Sequence, residues 1–176
     1  MALTAGSIAF VGFNMETPDG FAFVAVDSIA AGEVLQFRSD AWNGTGFVGS
    51  GDINFQWTAG AGGVAAGTVV EIIGVNNLAT MTASTGSLTN NNIGTTPQFA
   101  FSGNTDVIYA YTGTAATPTT FVAAVANAPF NAGNGLLTGT GLTAGTDAVA
   151  IINTGTPTAI SPAAFVAVAL SQGISR

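Results

Sequence analysis

Nine carboxylates and two arginines are the only charged side chains of this 176-residue chain, which contains no Lys, His or Cys. Without an imidazole, a thiolate or an amine, most bases and nucleophiles that enzymes use are missing. The reaction chemistry that remains is that of paired carboxylates, which glycosidases hold about 5–10 Å apart. Nine acids are enough to form such a pair, but a hydrolase site also needs groups that orient a substrate. The sequence therefore predicts a protein that is not an enzyme.

Calcium binding is a second chemistry that carboxylates support, because Ca²⁺ takes about six to eight oxygen ligands. The loop Asn14–Gly20 contains Glu16 and Asp19, and Asp27 and Asp40 lie in two further turn-like segments. The chain has no Asp-x-Asp-x-Asp-Gly loop and no Gly-Gly-x-Gly-x-Asp repeat. Each acid therefore has a second interpretation, as a solvated turn residue or a cap of local amides. Calcium at these four acids is the one cofactor that we consider; no other is predicted.

Arg38 is the one cation away from the end of the chain, since the other arginine is Arg176. One interpretation is an ion pair with Asp40, two residues on, or with another acid on a sheet surface. The other interpretation is a pair with an acidic patch on a neighbouring subunit. So few cations argue against binding to nucleic acid, because proteins neutralise its phosphates with Lys and Arg. They argue equally against binding to anionic membrane surfaces.

The elements that position these side chains are predicted to be short strands, because polar and apolar residues alternate between Gly, Asn, Asp and Pro turns. The predicted strands are Ser7–Phe13, Phe21–Val26, Val34–Arg38, Ile53–Trp57, Thr68–Val75, Gln98–Phe101, Asp106–Thr112, Phe121–Val125 and Ala148–Ile152. Ser161–Leu170 fits a helix and a buried final strand equally, and Phe121–Ala128 is similarly ambiguous. We expect one all-β domain over residues 1–176, an antiparallel β-sandwich of Ig-like or jelly-roll-like form with at most one or two short helices.

A turn pattern occurs four times along the chain, each time as an apolar residue, a small residue, Ala-Gly, a polar residue and then a strand. The Ala-Gly pairs end at Gly6, Gly32, Gly67 and Gly145. Glycine adopts positive φ without steric cost, so the pattern predicts a tight turn that leads into a strand. The unequal spacing indicates a repeated turn rather than a solenoid repeat. Residues 80–96 are rich in Thr, Ser and Asn and are expected to form a surface loop.

Part of the chain resembles a β-sandwich module of secreted bacterial surface proteins. The residues that carry the resemblance are GFAFVAVD at 20–27, IAAG at 29–32, then Phe37, Asp40, Trp42 and Phe47, WTA at 57–59 and AAGTVV at 65–70. That module occurs in RTX-type and adhesin-like proteins and is similar to Ig-like lamin-tail domains. The resemblance covers residues 1–75 and implies an extracellular or cell-surface all-β domain, exported without a cleaved N-terminal signal.

Composition and pattern together predict a secreted structural subunit that assembles with itself into a filament, fibre or surface layer, such as a biofilm matrix. Charged residues are only 6% of the chain, and Lys, which usually keeps sheet edges apart, is absent. Assembly would use β-strand pairing or exchange of a terminal strand, with Ala2–Phe13 and Ala163–Ser171 as candidate segments. The predicted assembly residues are Leu3, Ile8, Phe10, Arg38, Phe165, Val166, Val168 and Leu170. The partner is a second copy, with no nucleic acid and no membrane insertion, because no run of about 18 apolar residues occurs.

Two other functions stay open at this point. The first is a carbohydrate-binding or adhesive module that recognises surface glycans, in which an exposed Trp42 or Trp57 stacks on a sugar. The competing interpretation of Trp42 is that it anchors packing. The second is a carboxylate hydrolase, which requires one pair of the nine acids to lie in a cleft.

Overall fold

The computed structural model describes residues 2–14, 18–49, 52–77, 79–91, 101 and 105–151. In these ranges the chain folds as strands joined by turns, and none of them contains a helix, so none contains a membrane-spanning one. The strands are β1 (Ile8–Asn14), β2 (Gly20–Ala25), β3 (Val34–Arg38), β4 (Ala41–Trp42), β5 (Phe47–Val48), β6 (Asn54–Thr58), β7 (Val69–Ile73), β8 (Thr82–Ala83), β9 (Ser87–Asn90), β10 (Val107–Gly113), β11 (Pro118–Ala126) and β12 (Ala148–Ala150).

The strands form two sheets and a separate hairpin. The first sheet has the order β1-β2-β7-β8, and the second has the order β12-β11-β10-β3-β6-β9. All pairs are antiparallel except β11 with β12. Strands β4 and β5 pair only with each other. The predicted all-β, sandwich-like fold is confirmed.

The main core is a set of buried apolar side chains contributed by both sheets. On β6, Phe55 and Trp57 are fully buried, whereas the alternating residues Asn54 and Gln56 are half-buried, as the sequence pattern predicts. Phe37 of β3 lies at the centre of the aromatic residues. Its ring lies 5.0–6.3 Å, centroid to centroid, from four others, those of Phe10, Phe21, Phe23 and Phe55.

A second apolar cluster, called here the outer cluster, includes side chains from the opposite face of the second sheet. Tyr109 and Tyr111 of β10 point into it, whereas Ile108 and Ala110 belong to the main core. Both faces of this strand are therefore covered. The cover includes the β4–β5 hairpin and part of the segment after β11, through Trp42, Phe47, Phe130, Leu137 and Leu142.

The four predicted glycine turns are present, and they fix the ends of strands. Gly6, Gly32, Gly67 and Gly145 have φ angles of 82°, 73°, 84° and 81°. In each turn the residue after glycine donates its N–H to the carbonyl three residues earlier, as Ser7 does to Thr4. The apolar residue that precedes each turn is buried: Leu3, Ile29, Val64 and Leu142. The pattern therefore joins a tight turn to a side chain anchored in a core.

Several predictions of local structure need correction or fall outside the described residues. Residues 80–96 are not wholly a loop, because they contain β8 and β9, and β9 pairs with β6. The ambiguous segment Phe121–Ala128 is strand β11 as far as Ala126. Of the predicted strand Gln98–Phe101 only Phe101 is described, and it is not in a strand. Ser161–Leu170 lies outside the described residues.

Candidate functional site

Arg38 is buried at the end of β3 and makes its contacts within its own chain. Its Nε donates to Asp40 Oδ2 at 2.6 Å, Nη1 donates to the Ala115 carbonyl at 3.1 Å, and Nη2 donates to the Gly49 carbonyl at 3.2 Å. The Arg38 and Asp40 side chains are only 10% and 2% exposed. The first of the two interpretations of Arg38, an ion pair with Asp40, is therefore the one that the structure shows. Its role as an inter-subunit cation is not supported, because the guanidinium is already hydrogen-bonded inside the chain.

The groups around this ion pair tie distant segments together. The guanidinium carbon lies 4.3 Å from the centre of the Phe47 ring, on β5. The Tyr111 hydroxyl donates to the same Ala115 carbonyl at 2.8 Å, and burial raises the pKa of Tyr111 to about 12, partly opposed by Arg38. Tyr111 is therefore a neutral donor at physiological pH. We call Arg38, Asp40, Phe47 and Tyr111 the Arg38 cluster.

Gly49 is required where the loop closes over this cluster. Its φ is 106°, and a Cβ at this position would lie 2.9 Å from Asp40 Oδ1. Any larger residue would therefore meet both an unfavourable backbone conformation and the carboxylate. The close approach lets the Gly49 carbonyl accept from Arg38, so the loop is held by the cation.

Asp52 brings a second carboxylate near the Arg38 cluster. Its pKa is raised above the ordinary 3.8, first by desolvation and then by the charge of Asp40, while Arg38 opposes the rise. This is the arrangement in the described residues that comes nearest to the paired acids of a hydrolase. Asp40, however, is 2% exposed and paired with Arg38 through Oδ2, so this carboxylate is not open to a substrate. The arrangement therefore serves packing and local charge balance.

An Asp52→Asn variant is expected to be more stable at pH 7, by up to about 0.5 kcal/mol. The raised pKa means that the folded state disfavours the charged carboxylate. That cost is present above the raised pKa, falls as the pH drops through it, and is gone well below 3.8, where the acid is protonated in both states. Urea unfolding of both proteins at pH 7 and at pH 3 checks this. An Asn variant that is less stable at pH 7 would contradict it.

The structure does not bring the described calcium candidates together. Asp19 accepts from the Phe101 N–H at 2.6 Å, Asp27 accepts from the Ser7 hydroxyl at 2.9 Å, and Asp40 pairs with Arg38. Glu16 lies outside the described residues. Across the described ranges, no group of three or more acids is placed to hold a metal ion. Each of the three described carboxylates has a structural partner instead.

Both tryptophans are anchors of packing, as the competing interpretation of Trp42 holds. Trp42 is 7% exposed, and its indole N–H donates to the Thr138 carbonyl at 2.9 Å. Trp57 is 0% exposed, and its N–H donates to the Thr85 carbonyl at 2.7 Å. A sugar-stacking site needs an exposed indole face, so neither tryptophan meets the requirement of the carbohydrate-binding alternative.

The outer strands of both sheets are free of charged residues. Strands β1, β8, β9 and β12 each pair with one neighbouring strand among the described residues, apart from one isolated bridge between Ala144 and Ala148. None of the four contains Asp, Glu, Lys or Arg. The longest is β1, with seven residues, and a bulge interrupts its pairing between Phe10 and Gly12. Sheet edges usually contain charges that prevent pairing with other chains, and these do not.

The assembly residues predicted on β1 and just before it have side chains in the main core. Leu3, Ile8 and Phe10 are 4%, 0% and 0% exposed, so these side chains are not contact surfaces. The other predicted assembly residues, Phe165, Val166, Val168 and Leu170, lie outside the described residues.

The face of the first sheet that points away from the main core has small residues at its centre. A shallow depression of about 260 Å³ is lined by residues that include Gly12, Gly20 and Ala22, with Asn14 and Ile73 also on its wall. A Cβ on Gly20 would lie 2.6 Å from the Ile72 carbonyl oxygen, so β2 and β7 need glycine there to pair closely. Further along β7, Val69 is 48% exposed. The depression lies beside β1, and its mostly apolar wall also includes Glu71.

Comparison of the chain with models of protein families, with curated proteins and with solved structures found no match. Any functional proposal for this chain therefore rests on its fold and its contacts.

Proposed function

We propose that this protein is an extracellular structural subunit that assembles with copies of itself by pairing of sheet edges. The observation that carries the proposal is β1, a seven-residue edge strand with no charged residue. Among the described residues, β1 pairs with one strand, β2. Such an edge is a template for pairing with another chain.

Ile8 and Phe10 keep their side chains in the main core, and both residues are 0% exposed, so pairing at β1 first requires this edge to become accessible. A strand added there would also cover part of the apolar depression that Gly12, Gly20 and Ala22 line. Backbone hydrogen bonds and buried apolar area would then both stabilise the contact.

The geometry of such a contact favours a filament. If β1 pairs with a different segment of the next copy, the contact is head-to-tail and repeats without closing unless the rotation completes a ring. The outer strands β8 and β9 also lack charges, so a surface rich in Thr, Ser and Asn adds little repulsion between neighbours. The formal net charge of −7 leaves weak overall repulsion, which added salt would screen.

A Val11→Lys variant tests the proposal. Val11 is half-buried and lies in the β1 bulge, without a paired residue on β2. A lysine here places a charge on the edge, and the concentration needed for assembly is expected to rise by about tenfold, or about 1.4 kcal/mol. Sedimentation velocity measured over a concentration series at neutral pH gives this value.

Val48→Lys is the matched control, because Val48 is 56% exposed on β5, away from the first sheet. Circular dichroism shows whether both variants fold. The control should assemble like the wild type. Equal assembly of both lysine variants would show that β1 is not part of the interface. A wild-type protein that never associates would contradict the proposal itself.

A further inference from the structure

The tip of the β4–β5 hairpin contains an Asn-Gly pair whose side-chain carbonyl is surrounded by hydrogen-bond donors. Asn43 Oδ1 accepts from the Thr45 N–H at 3.0 Å, from the Thr45 hydroxyl at 3.1 Å and from the Gly46 N–H at 3.0 Å. The two backbone N–H groups only donate, so the atom that they face is the oxygen of the amide. Asn43 and Thr45 are both exposed, so water reaches this amide.

The backbone nitrogen of Gly44 is the nearest internal nucleophile for the Asn43 amide. Gly44 has no side chain to hinder the approach of its nitrogen to Asn43 Cγ. Its N–H makes no hydrogen bond to any residue that the structure describes. An attack within one chain is favoured because the two reacting groups are already held together. Donors aimed at an oxygen that gains negative charge lower the barrier further, and Asn43 Oδ1 is such an oxygen.

We propose that Asn43-Gly44 is a site of self-catalysed deamidation. The Gly44 nitrogen loses its proton to hydroxide and bonds to Asn43 Cγ, while the Thr45 and Gly46 donors stabilise the charge that develops on Oδ1. The Cγ–Nδ2 bond then breaks, and the leaving nitrogen takes a proton from water and departs as ammonia. Water opens the resulting succinimide ring at either carbonyl, which leaves aspartate or isoaspartate at position 43. A carboxylate thus replaces the amide, and the formal net charge of −7 becomes more negative by one.

The chain contains one other Asn-Gly pair, Asn134-Gly135, whose reacting groups are engaged. The Gly135 N–H donates to the Asn131 carbonyl at 2.8 Å, and Asn134 Nδ2 donates to the Pro129 carbonyl at 3.1 Å. Gly135 is also buried. Both the attacking and the leaving nitrogen of this pair are therefore held in place, so the folded protein should deamidate at Asn43 in preference to Asn134.

Incubation of the wild-type protein at pH 8, followed by chymotryptic digestion and mass spectrometry, tests the proposal. Trp42 and Phe47 bracket the site, so cleavage after aromatic residues separates it from Asn134. In the folded protein, we expect aspartate and isoaspartate to accumulate about tenfold faster at position 43 than at position 134. In urea that unfolds the protein, the two positions should react at similar rates, because neither set of contacts remains.

Three results would overturn the proposal. The first is a rate at position 134 of the folded protein that equals or exceeds the rate at position 43. The second is aspartate without isoaspartate at position 43, because direct hydrolysis forms no ring. The third is an equal preference for position 43 in urea, because local sequence rather than the folded contacts would then set the rates.

A Thr45→Val variant tests the role of the donors, because it removes the hydroxyl but keeps the shape of the side chain and the backbone N–H. The rate at Asn43 should fall about two- to fivefold. Loss of one such donor in an enclosed enzyme site costs about a hundredfold or more, but here water replaces the lost hydroxyl. The rate at Asn134 is the internal control and should not change. An unchanged or faster rate at Asn43 would overturn the role of the donors.

Discussion

Arg38→Met is expected to lose about 3–5 kcal/mol of unfolding free energy, one of the two largest effects predicted for a single substitution in this protein. The change leaves Asp40 as a buried carboxylate at 2% exposure without its cation. It also removes the donors to the carbonyls of Ala115 and Gly49 and the contact with the Phe47 ring. Loss of several partners in a buried site costs more than the ion pair contributes by itself.

Urea unfolding at pH 7 measures the loss, and two further variants separate its causes. Arg38→Lys keeps a positive charge but cannot donate in the fixed directions of a guanidinium, so an intermediate loss is expected. The double variant Arg38→Met, Asp40→Leu removes the uncompensated charge and is expected to lose less than Arg38→Met alone. A loss under about 1 kcal/mol for Arg38→Met, the range of a surface pair, would show that the cluster does not hold the loops.

Phe37→Ala is expected to destabilise the protein by about 3–5 kcal/mol, through loss of buried area and the cavity that remains. Phe37 is 0% exposed, and its ring contacts aromatic residues from both sheets, with Phe21 the nearest at 5.0 Å between centroids. The neighbouring rings are held by their own strands and cannot collapse fully into the space. The substitution therefore weakens the contact between the sheets.

Equilibrium unfolding in urea checks this value, with Val48→Ala as the control because Val48 is 56% exposed. The control is expected to change the unfolding free energy by less than about 0.5 kcal/mol. Phe37→Leu keeps much of the side-chain volume, so its loss of unfolding free energy should lie between those of Phe37→Ala and Val48→Ala. A Phe37→Ala protein with wild-type stability would mean that the two sheets do not share one core.

Strands with a strong local pattern could be predicted from the sequence. Val34–Arg38 has the predicted bounds, and Phe55 and Trp57 point into the core as the alternation indicates. The four Ala-Gly turns were also predictable, because only glycine adopts the required backbone conformation without strain. In each of these cases the residues that decide the structure are neighbours in sequence.

The features that were missed are very short strands, or contacts between residues far apart in sequence. Strands β4, β5 and β8 have two residues each, too few for any periodicity to appear. The burial of Trp42 follows from its bond to Thr138, and Asp19 is held by the Phe101 N–H. Sequence pattern alone could not separate these partners from a sugar or a calcium ion.

The edge of β1 was only partly predictable. Its lack of charge is visible in the sequence, and it motivated the prediction of self-assembly. That Ile8 and Phe10 turn inward depends on the position of β1 at the border of its sheet. The family resemblance of residues 1–75 and the extracellular location stay predictions.

Self-assembly is the central claim, and sedimentation velocity of the wild-type protein over a range of concentrations at neutral pH, with electron microscopy of the same samples, tests it most directly. We predict species larger than the monomer, whose share grows with concentration, and filaments or sheets in the micrographs. A single monomeric species that persists at the highest concentration would contradict the claim.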